Sequence, residues 1–508
     1  MPPASAPPTL NAATASPAQR IPYAFARAHG VLPLSDDGES VLVLARSDAS
    51  VEGIAELKRV LQRPLKTTTV GAERFAAELA RVYNEASAPV AQISEDLSRD
   101  TDLARLLQEI PKAEDLLGST SEAPVIRMIN ALLLQALRER ASDIHFEPYE
   151  ARSVVRFRVD GVLTDVIEPP RALHAALVSR LKVMASLDIA EKRLPQDGRM
   201  ALKLGDKSVD VRVSTLPTGP GERVVLRLLD KDSARLDLTA LGMSESTLAA
   251  IDRLIREPHG ILLVTGPTGS GKTTTLYAAM SRLDRSTLNV MTVEDPIEFA
   301  LDGVGQTQVN PRIELTFARA LRSILRQDPD IIMIGEIRDL ETAQIAVQAS
   351  LTGHLVLATL HTNDAVSAVT RLADMGVEPY LLASTLLGVL AQRLVRCLCP
   401  ACRAAAAPTH GEVAVLERLG GGRIERLHRP IGCPACGDSG YRGRTGIYEL
   451  VVVDPALSRL IHDQSGEPAL REACGRAGAR SLAVDGTRWL ADGTTSLAEL
   501  LRVTGAAG

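Results

Sequence analysis

Gly266-Pro267-Thr268-Gly269-Ser270-Gly271-Lys272-Thr273 fits the pattern G-x-x-x-x-G-K-[ST] of a phosphate-binding loop. The apolar run ILLV at 261–264 precedes this loop and TTLYAAM at 274–280 follows it, which predicts a strand, the loop and then a helix. The glycines let backbone N–H groups converge on phosphate oxygens at the positive end of that helix. The alternative is a glycine-rich turn that happens to precede a helix, and the complete context disfavours it.

The loop pattern gives individual residues expected roles. Lys272 is expected to reach the β- and γ-phosphates of a nucleotide, and the Thr273 hydroxyl to ligate Mg²⁺. ATP and Mg²⁺ are therefore the expected ligands of this region. The predicted nucleotide-binding residues are Gly266, Pro267, Thr268, Gly269, Ser270, Gly271, Lys272, Thr273 and Thr274.

Length and composition indicate a globular protein of about three or four domains. The 508 residues are 45% hydrophobic and 23% charged, which is ordinary for a soluble protein. A net charge of −5 gives no global basic field, and six Phe, seven Tyr and one Trp argue against base-stacking surfaces. Nucleic acid is therefore not an expected partner.

The chain shows no secretory signal, because residues 1–20 are rich in Ala, Pro and Ser and have no apolar core. They are expected to form a disordered lead-in. The apolar stretch 380–390 is too short to span a bilayer and is expected to be a buried helix. We expect a cytoplasmic protein whose membrane contact is indirect, through a partner.

The first half of the sequence predicts two small α/β modules. Residues 21–87 combine short strands at 31–34, 41–45 and 64–70 with helices at 21–28, 51–61 and 72–82. This module could dock on a partner or form a structural cap, and the sequence is equally compatible with both. Residues 88–118 are expected to be a linker with a short helix at 103–110.

The second module is predicted at residues 119–232. It is expected to contain two helices and two hairpins, the second of which turns at Asp197-Gly198. The helices are predicted at 124–140 and 173–187, and the strands at 154–159, 162–166, 209–214 and 224–229.

From 240 to 395 the pattern changes to strands that alternate with helices, which is typical of a parallel α/β core. The predicted strands of this core are 261–265, 290–293, 331–334 and 355–359. A cysteine-containing segment, 396–440, and a C-terminal segment, 441–508, with short helices between 455 and 503, complete the chain.

Acidic residues follow two of the predicted strands of the core. TVEDPIEF at 292–299 contains Glu298, and the apolar strand of DPDIIMIGEIRD, 328–339, leads to Glu336. ATP hydrolysis needs one carboxylate near Mg²⁺ and another that orients or deprotonates the attacking water. A single glutamate at a strand end could be a solvated cap, but two of them after a phosphate loop indicate a functional pair.

Two histidines bracket the last predicted strand of the core. His354 and His361 lie at the two ends of TGHLVLATLHT, 352–362. They could contact the γ-phosphate or relay its loss to a neighbouring subunit, although a lone histidine near a strand is more often a satisfied structural residue.

Four cysteines form two C-x₂-C pairs, which is the spacing of a structural Zn²⁺ site. Disulfides or free thiols are the alternative, and a cytoplasmic location disfavours stable disulfides. Cys397 could compete with Cys399 as a ligand, and Cys474 has no assigned role. The predicted zinc ligands are Cys399, Cys402, Cys433 and Cys436.

Arginines cluster in the second module and before the second acidic strand. Some of them could complete a phosphate site across subunits, but most surface arginines are solvated or paired with acids, and the sequence does not choose among them. The candidates are Arg193, Arg199, Arg212, Arg223, Arg227, Arg319, Arg322 and Arg326.

Taken together, these motifs resemble the secretion ATPases of the type II/type IV superfamily, most closely the protein E family of type II secretion. The resemblance covers most of the chain. Its stretches are IPYAFARAHGVLPL at 21–34, ASDIHFEPYE at 141–150, RLPQDGR at 193–199, GPTGSGKTTTLY at 266–277, TVEDPIEF at 292–299, LRSILRQDPDIIMIGEIRD at 321–339, TGHLVLATLHTNDA at 352–365 and GYRGRTGIYEL at 440–450.

The resemblance implies a homo-hexameric motor with a RecA-like ATPase core, a PAS-like N2 domain, a small N1 domain and a zinc-knuckle insertion. Such a motor, at the cytoplasmic face of the inner membrane, drives pseudopilus assembly and export of folded proteins across the outer membrane. The implied partners are the cytoplasmic part of inner-membrane protein L, bound through N1, and the platform protein F.

The resemblance also implies residue roles. Glu298 would be the general base and Glu336 the acid near Mg²⁺, while Lys272 and Thr273 bind the phosphates and the metal ion. His354 and His361 would form a histidine box. Arg212 and Arg227 would approach the phosphates from N2.

Three other functions compete with this interpretation. A type IV pilus assembly ATPase shares the motor, N2 and zinc elements. A ring-shaped nucleic-acid motor shares the RecA-like core. A nucleotide-sensing scaffold would bind ATP without hydrolysing it, and the carboxylates Glu298 and Glu336 argue against it.

Overall fold

The computed structural model describes residues 40–72, 123–204, 207–230, 237–420 and 424–505, together with residue 422 and short pieces between 21 and 82. The chain divides into two units, Met1–Lys231 and Asp232–Gly508. The predicted lead-in at 1–20, the linker at 88–118 with its helix at 103–110, and parts of the helices at 21–28 and 72–82 lie outside the described residues. No helix in the described ranges is long and apolar enough to cross a membrane.

The N-terminal part of the first unit contains a three-stranded sheet. Strands β1 and β2 are antiparallel, and β2 pairs in parallel with β3 after the crossover helix α1. The Ser50 hydroxyl begins α1 by accepting the Gly53 N–H at 3.0 Å. The bounds, which agree with the predicted hairpin, helix and strand, are β1 (Val31–Asp36), β2 (Val41–Arg46), α1 (Val51–Leu61) and β3 (Leu65–Val70).

The rest of the first unit is a six-stranded antiparallel sheet in the order β6-β5-β4-β9-β8-β7. Two helices cover one face, where alternate residues such as Ile144, Phe146 and Leu226 are buried. The elements are α2 (Ala123–Arg138), β4 (Ala141–Pro148), β5 (Ser153–Val159), β6 (Val162–Ile167), α3 (His174–Met184), β7 (Gln196–Leu204), β8 (Lys207–Thr218) and β9 (Gly221–Asp230).

The predicted turn at Asp197-Gly198 was wrong, because both residues lie inside β7 and pair with β8. The glycine serves a close backbone approach instead. A Cβ atom on Gly198 would lie 2.6 Å from the carbonyl oxygen of Ala185, just after α3. A D-G pair predicts a hairpin turn, and here tertiary packing explains the glycine.

The second unit contains a seven-stranded sheet in the order β12-β11-β13-β14-β10-β15-β18. All pairings are parallel except that of β15 with β18. The central strands are buried along their whole length because helices cover both faces. The strands are β10 (Gly260–Thr265), β11 (Val290–Glu294), β12 (Val304–Gln308), β13 (Ile331–Ile334), β14 (Leu355–Leu360), β15 (Leu386–Leu398) and β18 (Tyr441–Val452).

Several α-helices and a small hairpin complete the described part of this unit. The hairpin is β16 (Ala404–Ala406) with β17 (Leu427–Arg429). The helices are α4 (Glu245–Leu254), α5 (Lys272–Met280), α6 (Phe317–Ile324), α7 (Leu340–Leu351), α8 (Ala365–Asp374), α9 (Pro379–Thr385), α10 (His410–Leu419), α11 (Pro455–His462), α12 (Gly466–Arg476), α13 (Leu482–Ala491) and α14 (Leu497–Thr504).

The buried helix predicted at 380–390 is only half correct. Helix α9 ends at Thr385, and β15 begins at Leu386 between β10 and β18. An apolar run of this length has no periodicity that separates a buried strand from a buried helix. The C-terminal segment is helical from Pro455 onward as expected, but its first part is strand β18, which closes the main sheet.

Candidate nucleotide site and metal centre

The phosphate loop connects the carboxyl end of β10 to the first turn of α5. Gly266, Gly269 and Gly271 have φ angles of 149°, 78° and 87°, which favour glycine. A Cβ atom on Gly266 would lie 2.4 Å from the Gln392 carbonyl oxygen and 2.7 Å from the Ser270 hydroxyl oxygen. Packing as well as backbone conformation therefore requires glycine at 266.

The Lys272 ammonium lies inside the loop. Its Nζ donates to the carbonyl oxygens of Gly266, at 2.8 Å, and Pro267, at 3.1 Å. Burial lowers the pKa of Lys272 to about 8, and the nearby Glu336 carboxylate opposes that shift. A bound phosphate would favour the charged form, because an opposite charge at short range raises the pKa of an amine.

The loop also offers features that a phosphate would satisfy. The Ser270 hydroxyl is buried and has no hydrogen-bond partner among the described residues. Gly269 leaves open space where a side chain would stand, and residues 267–269 are exposed. The half-buried Thr273 follows Lys272 in the first turn of α5. These residues fit a nucleotide with its Mg²⁺.

The parallel sheet brings Glu336 and His361 to the same edge as the loop. Glu336 follows β13 and His361 follows β14, and these adjacent parallel strands end side by side. One Glu336 oxygen pairs with the Arg338 guanidinium, and the other lies 3.2 Å from His361 Nε2. Lys272, Glu336 and His361 therefore converge beside the phosphate loop.

Glu298 follows β11 in a half-buried segment. The Glu298 backbone hydrogen-bonds to the Tyr277 hydroxyl, so this segment lies against helix α5, which begins at Lys272. The neighbouring Glu294, at the end of β11, is buried and accepts a hydrogen bond from Tyr277.

His354 is not brought to the loop in this chain. It precedes β14, and its backbone oxygen accepts the Gly260 N–H at the amino end of β10, at 3.2 Å. The six-residue strand separates it from His361 by about 20 Å at roughly 3.3 Å per residue. Its Nδ1 lies 2.8 Å from the Ala349 carbonyl oxygen. A nucleotide contact of His354 within one chain is therefore at odds with this geometry.

Arg212 and Arg227 lie opposite each other on β8 and β9 in the first unit. The Arg227 Nε donates to Asp143 Oδ1 at 2.9 Å, and Asp143 is buried on β4. The sheet therefore brings the two arginines together, and their approach to a nucleotide stays a prediction.

Sequence reasoning missed Gln392, a buried residue of β15. Its Nε2 donates to the Ser270 carbonyl oxygen at 2.8 Å, and its Oε1 accepts from the Thr275 hydroxyl at 2.7 Å. Gln392 thus ties the phosphate loop to the first turns of α5. The only signal was a polar residue in an apolar run, and the helix was predicted to extend through most of that run.

The four predicted cysteine ligands form one cluster. Their sulfur atoms all lie within 4.8 Å of one another, and among the described residues this cluster includes Cys399 but not Cys397. The Sγ–Sγ distances are 4.0 Å for Cys399 and Cys433, 3.9 Å for Cys402 and Cys436, and 3.7 Å for Cys433 and Cys436. Tetrahedral Zn–S bonds of about 2.3 Å require separations of about 3.8 Å, so the donor set fits zinc.

Backbone amides complete the cluster. The N–H groups of Cys433 and Gly440 donate to the Cys436 sulfur at 3.3 and 3.2 Å. Hydrogen bonds to sulfur favour the thiolate that a metal ion binds. The cluster lies where β15 ends and before β18 begins, so zinc would tie together the loops that leave two paired strands.

Two protein families match this chain. The family described as Type II/IV secretion system protein matches residues 118–502, and the family of the N1 domain of GSPII protein E matches residues 20–83. The chain belongs to the type II/IV secretion system protein family. The resemblance to the protein E family is thereby confirmed, as is the expected fold class, with its RecA-like core.

Several relatives match this family member over nearly its whole length. The type II secretion system protein HxcR of Pseudomonas aeruginosa is 59% identical over 485 residues, which are 95% of this chain and 99% of the relative. The type II secretion system ATPase E of Vibrio cholerae is 53% identical, over 96% of this chain and 97% of the relative.

A solved structure with the same fold is the ATPase DotB of Legionella pneumophila. Its TM-score is 0.54 at 20% identity, and the match covers 75% of this chain and 96% of DotB. DotB of Yersinia pseudotuberculosis has the same TM-score at 21% identity, over 75% of this chain and 94% of that protein. These two ATPases share the fold of this family member.

Proposed function

We propose that this chain is the ATP-hydrolysing motor of type II protein secretion. It works as a homo-hexamer at the inner membrane and couples ATP turnover to pseudopilus assembly and to export of folded proteins across the outer membrane. The observation that carries ATP hydrolysis is the convergence of Lys272, Glu336 and His361 at the carboxyl edge of the sheet. The relatives named for type II secretion support the cellular role.

In this proposal the loop residues bind and orient the triphosphate. Lys272 exchanges its hydrogen bonds with the loop carbonyls for bonds to the β- and γ-phosphates, which neutralises charge that develops during transfer. Mg²⁺, when held on the side of Thr273 and Glu336, bridges phosphate oxygens and neutralises their charge. Residues 267–274 supply backbone donors to the remaining oxygens.

Glu298 acts as the general base in this scheme, because hydrolysis needs an attacking water that is oriented and deprotonated. Glu336 holds the metal side of the site, and His361 keeps the Glu336 carboxylate in place. His354, at the far end of β14, and Arg212 and Arg227, in the first unit, contribute across domain or subunit boundaries.

Two attachments connect the motor to the secretion machine in this proposal. Residues 21–87 dock as the N1 domain on the cytoplasmic part of inner-membrane protein L, and the motor drives the platform protein F. Zinc at the four cysteines, Cys399 to Cys436, stabilises a loop-rich segment that has little core of its own. The protein is thus peripheral at the inner membrane, and its class is that of a translocase.

A replacement experiment in the native host tests the cellular role. The chromosomal copy is replaced by Lys272→Ala, and folded proteins in the medium are compared with those in the periplasm. Accumulation in the periplasm, with recovery of protein L or F when the wild-type chain is captured from membranes, supports the proposal. Normal secretion, or recovery of a pilus platform alone, would contradict it, as would DNA-stimulated ATP turnover.

A further inference from the structure

Tyr277 is a fully buried side chain on α5, the helix that begins at Lys272. Its hydroxyl donates to the Glu294 carboxylate and hydrogen-bonds to the Glu298 backbone. Its ring meets Phe299 edge to face, with the ring centroids 4.6 Å apart. One side chain on the phosphate-binding helix therefore contacts three residues of the segment 294–299.

Glu294 is the centre of a buried hydrogen-bond network. The Thr292 hydroxyl and Gln306 Nε2 also donate to its carboxylate, the latter at 3.0 Å. Gln306 Nε2 further reaches the Phe299 carbonyl oxygen at 3.2 Å, and its Oε1 accepts the Leu301 N–H at 2.7 Å. A buried carboxylate needs such partners, so this network makes the segment rigid.

The Tyr277 hydroxyl is the member of the network that reaches across from the helix. Burial, and then the Glu294 carboxylate, raise the pKa of Tyr277, so it stays a neutral donor. The other donors to Glu294, Thr292 and Gln306, belong to β11 and β12. Loss of this one hydroxyl would leave the segment folded but no longer hydrogen-bonded to α5.

We propose that Tyr277 is a positioning residue whose hydroxyl holds the segment 294–299, and with it Glu298, at a set distance from Lys272 and Thr273. The inference rests on the proposed function, in which Glu298 is the general base. Catalysis is sensitive to this distance because displacement of a catalytic group by about 1 Å can cost a hundredfold in rate.

The Tyr277→Phe variant tests the inference, since it keeps the ring against Phe299 and removes only the hydroxyl. We expect kcat for ATP hydrolysis to fall between about tenfold and a hundredfold, because Glu298 is no longer held. KM for ATP should stay within about twofold, because the loop contacts are untouched. A wild-type kcat in Tyr277→Phe would overturn the inference.

Tyr448→Phe is the matched control. Tyr448 is buried in the same hydrophobic core, and its hydroxyl donates to the Leu241 carbonyl oxygen at 2.9 Å, away from the segment 294–299. Both variants should lower the melting temperature to a similar extent, and only Tyr277→Phe should lose kcat. Equal loss of kcat in both would show a general effect of core destabilisation and contradict the inference.

A double variant separates positioning of Glu298 from other effects. If Tyr277 acts through Glu298, adding Tyr277→Phe to Glu298→Gln should not lower the residual turnover further. A further fall of about tenfold in the double variant would contradict the inference. If Tyr277→Phe does not fold, Glu294→Gln, which removes the charge that Tyr277 contacts, should show the same selective loss of kcat. Absence of phosphate release from the wild-type chain would instead contradict the proposed function.

Discussion

The Nε2 atom of His361 lies 3.2 Å from Oε2 of Glu336. The two residues follow adjacent parallel strands, so the sheet itself determines that they meet. The second Glu336 oxygen is paired with Arg338, and the carboxylate is only 15% exposed. Glu336 is therefore held from two sides at the edge where Lys272 lies.

The contact between His361 and Glu336 makes a first prediction. His361→Ala should lower kcat about tenfold, because the carboxylate gains freedom to rotate away from its working position. ATP affinity should change less than about threefold, since the loop contacts of Lys272 remain. His462→Ala, an exposed histidine of α11 beside Asp463, is the control and should be unaffected. Unchanged steady-state turnover in His361→Ala would remove this residue from the mechanism.

The cysteine cluster makes a second prediction. Cys433→Ser should release the metal, and hydrogen exchange should become faster across residues 399–436, because the ligand sulfurs replace a core there. Nucleotide affinity should stay within about twofold, since distant sites act independently. Cys397→Ser, outside the cluster, should keep a full metal content. Purified wild-type protein without zinc in elemental analysis would contradict the assignment.

The interaction of Glu499 with two arginines makes a third prediction, which concerns pH. Burial raises the pKa of Glu499, but hydrogen bonds from Arg502 and Arg396 outweigh it and lower the pKa to about 2. Because the folded-state pKa lies below its usual 4.5, the stabilisation is complete above pH 4.5 and is lost as the pH falls toward 2. The shift corresponds to about 3 kcal/mol of unfolding free energy.

Denaturant melts of Glu499→Gln at several pH values test this. The variant should be less stable than wild type by about 2–3 kcal/mol at pH 7, and the difference should shrink at pH 4 and below. Glu472→Gln, an exposed residue whose only described ion pair is with Arg476 at 3.9 Å, should change stability by less than about 0.5 kcal/mol. A difference that is independent of pH would show that the charge of Glu499 is not what stabilises the fold.

Much of the nucleotide region was predictable because its signals are local. The loop 266–273 needs glycine at defined positions, and each parallel strand ends at the same edge of the sheet, so acids and histidines after strands could be placed there. The two C-x₂-C pairs predicted a thiol cluster in the same way. In each case a short stretch of chain carries the constraint.

Other features depended on contacts between distant parts of the chain. Gln392 supports the loop from a strand more than a hundred residues later, and no local pattern identifies it. Gly198 is needed for its approach to Ala185 rather than for a turn. Likewise, the position of His354 away from the loop follows from which strand end it occupies, a consequence of topology that its motif does not contain.

The central claim is that this site hydrolyses ATP with Glu298 as the base. The most direct measurement is steady-state phosphate release with Mg²⁺ and ATP by wild type, Glu298→Gln and Lys272→Ala, with ATP binding measured in parallel by calorimetry. We predict that wild type releases phosphate and that Glu298→Gln binds ATP normally but turns over at least about a hundredfold more slowly. Lys272→Ala should lose both binding and turnover. Wild-type turnover in Glu298→Gln would contradict the account.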